Sequence, residues 1–470
     1  MLFVSQMEKL TGTELSFSDI PSKGSIKLQT DLAMDAEEYV LNVSKKSVSV
    51  TGGSEAGVYY GLQSLLQLAI NNDGAIPAVM ITDKPYMAYR GAMMDVSRHF
   101  FSVDEVKRFI DILALHKLNR FHWHLTDDQG WRIEIKQYPL LTSIGSIRKE
   151  TLVGQMDESR EMKYDGIPYG GYYTQDQIRE IVDYAAKRYI EVIPEIELPG
   201  HGVAALTAYP WLGCTGGPYE VWTRWGISKD VFCAGKESTF EFIENVLTEV
   251  LELFPSKYIH IGGDECPKDR WEKCPLCQKR MKDEGLENEK ELQSYFMQRI
   301  EKWMHSHGRE IIGWDEIMDG GISKTAIIMA WRDQFNGTKA AQQGNRVIMT
   351  PKWNCYLDYS QTSDPDKYEP IGPRRYLSIR QAYRLDPYDR LTPEEQHNIL
   401  GVQANVWAEY IPDFQYHQKK VLPRLAALSE VGWAYDRKNY DDFVKRLASF
   451  ARLYDKEGLV YSDYVFKGIE

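Results

Sequence analysis

Two adjacent acidic residues, Asp264 and Glu265, are the strongest candidates for chemistry in this chain. They follow the apolar, strand-type stretch 258–261 and the glycines Gly262 and Gly263. Two acids that share a site do not both ionise readily, so one keeps its proton to higher pH and can act as a general acid. This property suits the cleavage of glycosides. The alternative is an acidic pair that merely ends a surface strand, and the rest of the chain decides between the two.

Other polar and aromatic residues lie at the ends of further predicted strands. Strands are predicted at 89–96, 120–126, 191–197, 258–264, 310–316, 326–331, 346–350 and 400–407, with helices between them. Capping boxes at Ser102–Glu105 and Thr174–Gln177 predict the starts of two of these helices. The candidates at the strand ends are Asp95, Arg98, His122, His124, Asp127, Asp128, Glu195, Glu197, His201, Trp314, Asp315, Glu316, Trp331, Arg332, Tyr356, Asp358, Trp407 and Glu409. Eight such units predict an α/β fold, the (β/α)8 TIM barrel, whose active site lies at the C-terminal ends of the strands.

The chain divides into two predicted domains. Residues 1–82 contain a hairpin and a helix at 54–70, which predict a small α+β domain without catalytic candidates. Residues 83–470 form the predicted barrel, with a long loop at 199–237 and a cysteine-containing loop at 265–289. The long loop carries Trp211, Trp222 and Trp225, so it either covers a substrate as a lid or caps the barrel.

Composition excludes several classes of partner. The 470 residues carry a net charge of -12, which argues against nucleic acid and anionic membranes. No apolar run approaches the roughly 20 residues of a membrane helix. The 12 Trp and 29 Tyr suit sugar binding, since aromatic rings stack on sugar faces, but buried rings are equally common in cores.

The N-terminus and the cysteines bear on the cellular compartment. Met1 to Leu10 contains charged residues and no apolar core, so no signal peptide is expected there. Cys214 and Cys233 could form a disulfide in an oxidising compartment, and Cys274 and Cys277 with Cys266 could hold a structural zinc, although a fourth ligand is not evident. Free thiols are the third alternative.

Several motifs together resemble glycoside hydrolase family 20, the β-N-acetylhexosaminidases. The resemblance covers residues 85–435 and, weakly, the N-terminal unit. Its motifs are Arg90-Gly91 with 95–99, His122-Trp123-His124-Leu125-Thr126-Asp127-Asp128, 194–201, 260–265, Gly313-Trp314-Asp315-Glu316 and Asn405-Val406-Trp407-Ala408-Glu409. The resemblance implies an exo-acting enzyme that removes terminal β-linked N-acetylglucosamine or N-acetylgalactosamine from glycans or chitooligosaccharides, with retention and without cofactor or metal.

The resemblance also implies a role for each motif residue. Glu265 would be the general acid and base, while the substrate's own 2-acetamido oxygen attacks C1, as in the substrate-assisted families. Asp264 would hold the acetamido N–H and Tyr356, or alternatively Tyr359, would donate to its carbonyl. Sugar binding would fall to Arg98, Asp358, Glu409, Trp314, Trp331 and Trp407. Asp127 and His201 would support Glu265 through a hydrogen-bond relay that keeps it protonated near neutral pH.

Some alternatives stay open at this point. A metal-dependent amidohydrolase would use His122 and His124, with Asp127, His201 or His260 as further ligands. A sugar-binding protein with a dead site would lack Asp264, Glu265 or the tyrosine, and all are present. A family member that releases disaccharides, such as a lacto-N-biosidase, would need a wider pocket.

The chain departs from the family pattern in two places. The N-terminal domain is shorter than expected, and the region from Cys214 to Cys277 is an elaboration. The resemblance favours a periplasmic or secreted location, a cytoplasmic one is the alternative, and a homodimer is compatible with the sequence.

Overall fold

The larger part of the molecule is a closed barrel of eight parallel strands. The computed structural model describes residues 2–12, 14–18, 20, 24–72 and 75–469, so Met1 and Glu470, the ends of the two predicted domains, lie outside the described residues. In chain order the barrel strands are Tyr89–Asp95, Arg120–His124, Glu191–Leu198, Tyr258–Gly262, Glu310–Trp314, Ile327–Ala330, Val347–Met349 and Ile399–Ala404. Each strand pairs with its neighbours in sequence, and the eighth closes on the first through Ala404 and Ala92. The predicted TIM barrel is confirmed.

The barrel strands are buried on both faces, as parallel strands covered by helices must be. Alternate residues therefore belong to different cores. In the fifth strand Ile312 lies inside the barrel with Ile193 and Ile348, whereas Ile311 packs outward in the large core beneath the helices. This alternation points every second side chain of a strand towards the barrel axis. The inward side chains nearest the C-terminal end of each strand line the C-terminal face.

Helices surround the barrel, and the two predicted capping boxes are present. Ser102 and Thr174 each accept a hydrogen bond from the backbone three residues later, and Glu105 and Gln177 bond back to the cap. The longer helices of this part are Val103–Leu115, Gln175–Ala186, Glu237–Leu253, Pro275–Glu284, Glu289–Ser306, Gln334–Gln342, Phe414–Val421, Arg424–Ala434 and Tyr440–Glu457. Among the described residues no helix is both long and apolar enough to cross a membrane.

Short elements fill the connections. The short helices are Leu140–Ser143, Val203–Ala208, Pro210–Leu212, Asp269–Lys273, Asp315–Met318, Lys352–Cys355, Pro365–Tyr368, Ile379–Tyr383, Pro393–Gln396, Tyr435–Arg437 and Tyr464–Lys467. Three small pairs join Thr126–Asp127 to Gly130–Trp131, Ile147–Arg148 to Tyr169–Gly170, and Leu152–Val153 to Lys163–Tyr164. The two loops singled out in the sequence therefore contain helical turns.

A small α+β domain precedes the barrel. Its elements are helix Leu2–Thr11, strands Ile26–Thr30, Tyr39–Val43 and Val48–Gly52, helix Glu55–Asn71 and strand Val79–Asp83. The four strands form one sheet in the order first, third, second, fourth, which adds two strands and a helix to the predicted hairpin and helix. Strand Ile26–Thr30 was not predicted; it is a short edge strand that is mostly exposed, and only Ile26 and Leu28 carry its apolar alternation.

The small domain packs against the end of the barrel where the strands begin. Glu37 pairs with Arg90 at the start of the first strand (2.9 Å) and accepts a hydrogen bond from Asn119, just before the second strand (3.1 Å). Trp433 donates its indole N–H to Asp83 (2.8 Å). The small domain thus lies opposite the C-terminal ends of the strands.

Candidate active site

Unusual backbone conformations at the end of the fourth strand place Asp264 and Glu265. Gly262 and Gly263 have φ of 65° and 100°, and Glu265 itself has φ of 41°. A side chain at Gly262 would put its Cβ 1.9 Å from Glu197 Oε2, and one at Gly263 would lie 2.2 Å from Ile317. Both glycines are therefore needed for the left-handed turn and for the close approach of their neighbours. The turn brings two consecutive carboxylates to the C-terminal face of the barrel.

His201 connects these carboxylates to Asp127. The residue has φ of 49°, another left-handed conformation that is uncommon outside glycine. Its Nδ1 lies 3.2 Å from Asp127 Oδ1, and its Nε2 lies 3.5 Å from Glu265 Oε2 and 3.7 Å from Asp264 Oδ2. The relay from Asp127 through His201 to Glu265 is thus present in the geometry.

The charges in this relay differ from the expectation. Burial lowers the pKa of His201, but Asp127 and Asp264 outweigh it and raise that pKa well above the usual range. Burial raises the pKa of Glu265, yet the hydrogen bond and positive charge of His201 leave that pKa below its usual value. Burial and the nearby Glu197 raise the pKa of Asp264 well above its usual range. His201 thus favours the ionised form of Glu265, whereas burial and Glu197 favour the protonated form of Asp264.

The relay was expected to keep Glu265 protonated near neutral pH. His201 acts in the opposite direction, because a positive charge and a hydrogen-bond donor beside a carboxylate stabilise its charged form and lower the pKa of Glu265.

Aromatic rings form one wall beside the acidic pair. Trp314, the last residue of the fifth strand, lies 5.8 Å from Trp407 between ring centroids. Tyr356 stacks on Trp331 at 6.0 Å and lies 6.1 Å from Trp407. The indole N–H groups of Trp314 and Trp331 donate to Glu195 and Glu316, both at 2.8 Å, and fix the two rings.

The two candidate tyrosines differ in the charges that act on their hydroxyl groups. Burial raises the pKa of Tyr356 well above its usual range, and the charges of Asp358 and Asp264 add to this effect. The hydroxyl of Tyr359 responds instead to Asp358 and Arg375, and its ring packs against Trp353. Tyr356 is thus the tyrosine in electrostatic reach of Asp264.

The expected sugar-binding residues Arg98, Asp358 and Glu409 are close enough to influence each other's charge. Arg98 is held by Asp95 (3.2 Å), Gln129 (3.0 Å) and Asp127 (2.8 Å), and its guanidinium lies 5.0 Å from the Trp407 ring.

The surroundings of Asp358 and Glu409 disfavour the ionised forms of these two carboxyl groups. Burial and the neighbouring Glu409 raise the pKa of Asp358 to about 7, and burial raises the pKa of Glu409 despite the charge of Arg98. Arg98 is thus a fixed cation. A new hydrogen-bond donor would stabilise the ionised forms of Asp358 and Glu409.

Among the buried acceptors of the described residues that have no hydrogen-bond donor, two belong to the expected substrate-binding carboxylates. They are Asp264 Oδ1 and Asp358 Oδ1. A buried carboxylate oxygen without a partner is costly, so such atoms point to a ligand that supplies the missing donor. N–H and O–H groups of a sugar are donors of this kind.

Below the aromatic wall lies a buried network whose arrangement the sequence did not reveal. Glu195 accepts from the Trp314 indole and lies 2.8 Å from His122 Nε2 and 2.7 Å from His260 Nδ1, and all of these side chains are buried. His124 bridges Asp95 (3.2 Å) and Glu197 (3.3 Å). The sequence signal for this network is the alternation of His122 and His124 with apolar neighbours. That alternation indicates side chains that point into the barrel, where they form the base of the site.

Both domains of the chain match models of known protein families. The model of the glycosyl hydrolase family 20 catalytic domain matches residues 87–436, and that of glycosyl hydrolase family 20, domain 2, matches residues 2–84. A β-hexosaminidase of Porphyromonas gingivalis is 45% identical over 95% of this chain, which spans 58% of that protein. A β-hexosaminidase of Vibrio furnissii is 38% identical over 87% of this chain and 67% of that protein.

Solved structures agree with these matches. An exo β-N-acetylglucosaminidase of Vibrio harveyi, solved with N-acetylglucosamine, has a TM-score of 0.86 and 33% identity, over 98% of this chain and 72% of that one. A β-N-acetylhexosaminidase of Bacteroides fragilis has a TM-score of 0.80 and 34% identity, over 93% of this chain and 85% of that one. The match of the catalytic-domain model to most of the barrel decides the assignment, and this chain belongs to glycosyl hydrolase family 20.

Proposed function

We propose that this protein is an exo-acting β-N-acetylhexosaminidase that releases terminal β-linked N-acetylglucosamine or N-acetylgalactosamine from glycans. The observation that carries the proposal is the unpartnered, buried Asp264 Oδ1 directly beside Glu265 and within an aromatic wall. An acetamido group offers an N–H for the carboxylate oxygen and a methyl group for the tryptophans. The family relatives named above are hexosaminidases, which supports the same substrate class.

The reaction follows from the positions of three groups. Asp264 accepts the acetamido N–H and Tyr356 donates to the acetamido carbonyl, so that the carbonyl oxygen faces C1 of the sugar. That oxygen forms a bond to C1 as the glycosidic C–O bond breaks, and Glu265 gives its proton to the leaving oxygen. The product of this step is an oxazolinium ion, which keeps the nucleophile within the substrate.

In the second step Glu265 acts as a base. Its carboxylate takes a proton from water, the water oxygen attacks C1, and the oxazolinium ring opens to restore the acetamide. Two inversions at C1 give net retention. His201 remains charged beside Glu265 and stabilises the carboxylate that exists between the two steps.

Substrate binding changes the proton positions that hold in the free site. The Glu265 side chain is 35% exposed, and a bound leaving group covers it, which removes water and raises its pKa. An N–H donated to Asp264 favours the ionised form of that carboxyl group. The substrate therefore moves the preferred proton position from Asp264 towards Glu265.

Arg98, Asp358 and Glu409 suit the hydroxyl groups of a single terminal sugar. Arg98 supplies charged donors from a fixed position, and Asp358 Oδ1 needs a donor. A sugar hydroxyl can accept a hydrogen bond from Arg98 and donate one to Asp358. Binding of one terminal sugar in this way supports exo action. Release of a disaccharide is the second candidate only if this set does not close the pocket.

The deciding experiment compares hydrolysis of an aryl β-N-acetylglucosaminide with the matching β-glucoside, which differs only at carbon 2. A strong preference for the acetamido sugar is expected. Equal rates would contradict substrate assistance and direct the search for a nucleophile to Glu195, Glu197 and Glu316. Turnover of an aryl disaccharide alone would favour the disaccharide-releasing enzyme. A periplasmic or secreted location is also proposed, and fractionation of the native cells tests it.

A further inference from the structure

Four cysteine thiols meet outside the active site. Cys214 Sγ lies 3.8 Å from Cys277 Sγ, and Cys233 Sγ lies 3.8 Å from Cys274 Sγ and 3.6 Å from Cys277 Sγ. All four sulfur atoms lie within 4.8 Å of one another. Cys233, Cys274 and Cys277 are buried, and Cys214 is partly exposed. We call this group the thiol cluster.

The sulfur spacing is that of a tetrahedron around a metal ion. Four thiolates bound to Zn²⁺ at about 2.3 Å lie about 3.8 Å apart along each tetrahedral edge. A disulfide would instead bring two sulfur atoms to about 2.05 Å. Each cysteine of the cluster is a free thiol in this structure. The distances thus fit four ligands of one ion.

The backbone around the thiol cluster is built for close approach. Gly213 and Phe232 pair across an antiparallel bridge, which brings the segments that carry the adjacent residues Cys214 and Cys233 side by side. A side chain at Gly235 would put its Cβ 2.2 Å from Leu276 C and 2.4 Å from Cys277 N, so only glycine fits against the turn between Cys274 and Cys277. Cys274 itself caps helix Pro275–Glu284. The loops at 199–237 and 265–289 are thereby in close contact where their cysteines lie.

This set of ligands differs from the one expected from the sequence. Cys266 lies outside the thiol cluster, with its sulfur 3.9 Å from the Pro267 carbonyl oxygen. Cys214 and Cys233, considered as a disulfide, are instead the third and fourth members. The fourth ligand was not evident because it depends on how the loops at 199–237 and 265–289 meet, and the spacing between them in sequence carries no such information.

We propose that Cys214, Cys233, Cys274 and Cys277 bind one structural Zn²⁺ that clamps the loop after the third strand to the loop after the fourth. Four protein ligands close the coordination sphere, which is typical of structural rather than catalytic zinc. Sulfur in tetrahedral geometry suits zinc, and iron is the main competitor. The expectation of a protein without metal is thereby revised for this region, whereas the catalytic groups remain metal-free in the proposed mechanism.

The clamp is connected to the relay that ends at Glu265. Phe232, next to Cys233, donates its backbone N–H to Pro199 O (2.9 Å), and its ring fills the space beside Gly202. His201 lies between these two contacts. Cys274 and Cys277 belong to the loop that begins at Glu265. The ion therefore fixes the two segments whose side chains form the His201–Glu265 contact.

The test begins with the metal content of the whole chain, produced with zinc in the medium and purified without chelator. One zinc per chain is expected by elemental mass spectrometry. C233S and C277S should lose the zinc and melt at lower temperature than the wild type, because metal binding contributes to folding. C266A is the matched control for metal content, since Cys266 is in the same loop but outside the thiol cluster.

A second measurement protects the test against variants that do not fold. Wild-type protein, denatured without reductant but with chelator, is alkylated and weighed. The proposal requires that all 6 cysteines react. Absence of zinc with two unreacted pairs would mean two disulfides and would overturn the proposal. It would equally be overturned by wild-type zinc content in C233S and C277S, by iron in place of zinc, or by free thiols that take up no added zinc.

Discussion

His201 lowers the pKa of Glu265, and in the proposed mechanism this effect is measurable in the pH dependence of the reaction. In the free protein the pKa of Glu265 is lowered chiefly by His201 against the opposing effect of burial. The general acid is active only when protonated, so activity falls as pH rises through this pKa. Substrate covers Glu265 and raises the pKa. The basic limb of kcat should therefore lie at higher pH than the basic limb of kcat/KM, because the two report the complex and the free enzyme.

Initial rates across the pH range, with an aryl substrate whose leaving group does not titrate, check this order. Coincident limbs would mean that substrate leaves the environment of Glu265 unchanged. A reversed order would contradict the assignment of Glu265 as the acid.

Removal of the acid function itself has a larger effect. E265Q keeps the shape of the side chain but has no proton to give, so kcat should fall by roughly 10²–10⁴-fold while substrate binding persists. Steady-state kinetics and a binding measurement on the same protein separate the two effects. E161Q, at an exposed glutamate, is the control and should behave as wild type. Near-normal turnover of E265Q would refute the mechanism.

The elements of the barrel were largely predictable from the sequence, and specific residues show why. Apolar runs such as 258–261 and the capping residues Ser102 and Thr174 act locally, so sequence alone reveals them. Several motif residues lie at or just beyond the strand ends, as the sequence indicated, and their roles stay predictions. The edge strand Ile26–Thr30 was missed because it buries little apolar surface and so has only a weak apolar pattern in the sequence.

Features that depend on distant segments could not be predicted in the same way. The thiol cluster joins cysteines of two loops, and their meeting follows from tertiary packing. The surroundings of His201 combine carboxylates from the loops after the second and fourth strands, so its electrostatic effect on Glu265 is not contained in either motif alone. Local patterns contain neither kind of information.

At the scale of the fourth strand, the turn at Gly262 should be intolerant of any side chain. G262A combines a positive φ of 65° with a Cβ placed 1.9 Å from Glu197. G308A is a matched control, with φ of 71° and nothing within 4 Å of the added carbon. We expect G308A to cost about 1 kcal/mol of stability and to keep its activity. G262A should cost more and lower kcat/KM by about 100-fold, because the turn positions Asp264 and Glu265.

Unfolding free energies and kcat/KM of both variants decide this point. Equal behaviour of G262A and G308A would show that the contact with Glu197 relaxes easily and that the turn does not set the geometry of the acids.

For the molecule as a whole, one buried cation contributes to the contact between the two domains. The Arg90 side chain is 0% exposed and pairs with Glu37, which is 26% exposed. E37A removes the partner and leaves the guanidinium buried, which should cost about 3 kcal/mol of unfolding free energy. Denaturant unfolding measures the loss. K84A breaks the exposed Lys84–Asp35 pair and should cause no measurable change. Equal stability of E37A and wild type would show that Arg90 is satisfied by backbone carbonyls alone.

The placement of the small domain at the base of the barrel also determines how the molecule can be mounted on a solid support. The turn with Lys45 and Lys46 is exposed and lies at the end of strand Tyr39–Val43 away from the Tyr39 hydroxyl, which contacts Lys117 of the barrel (3.1 Å). A linker attached at Lys45 would hold the protein by the side remote from Glu265. Large molecules could then approach the C-terminal face of the barrel without obstruction from the support.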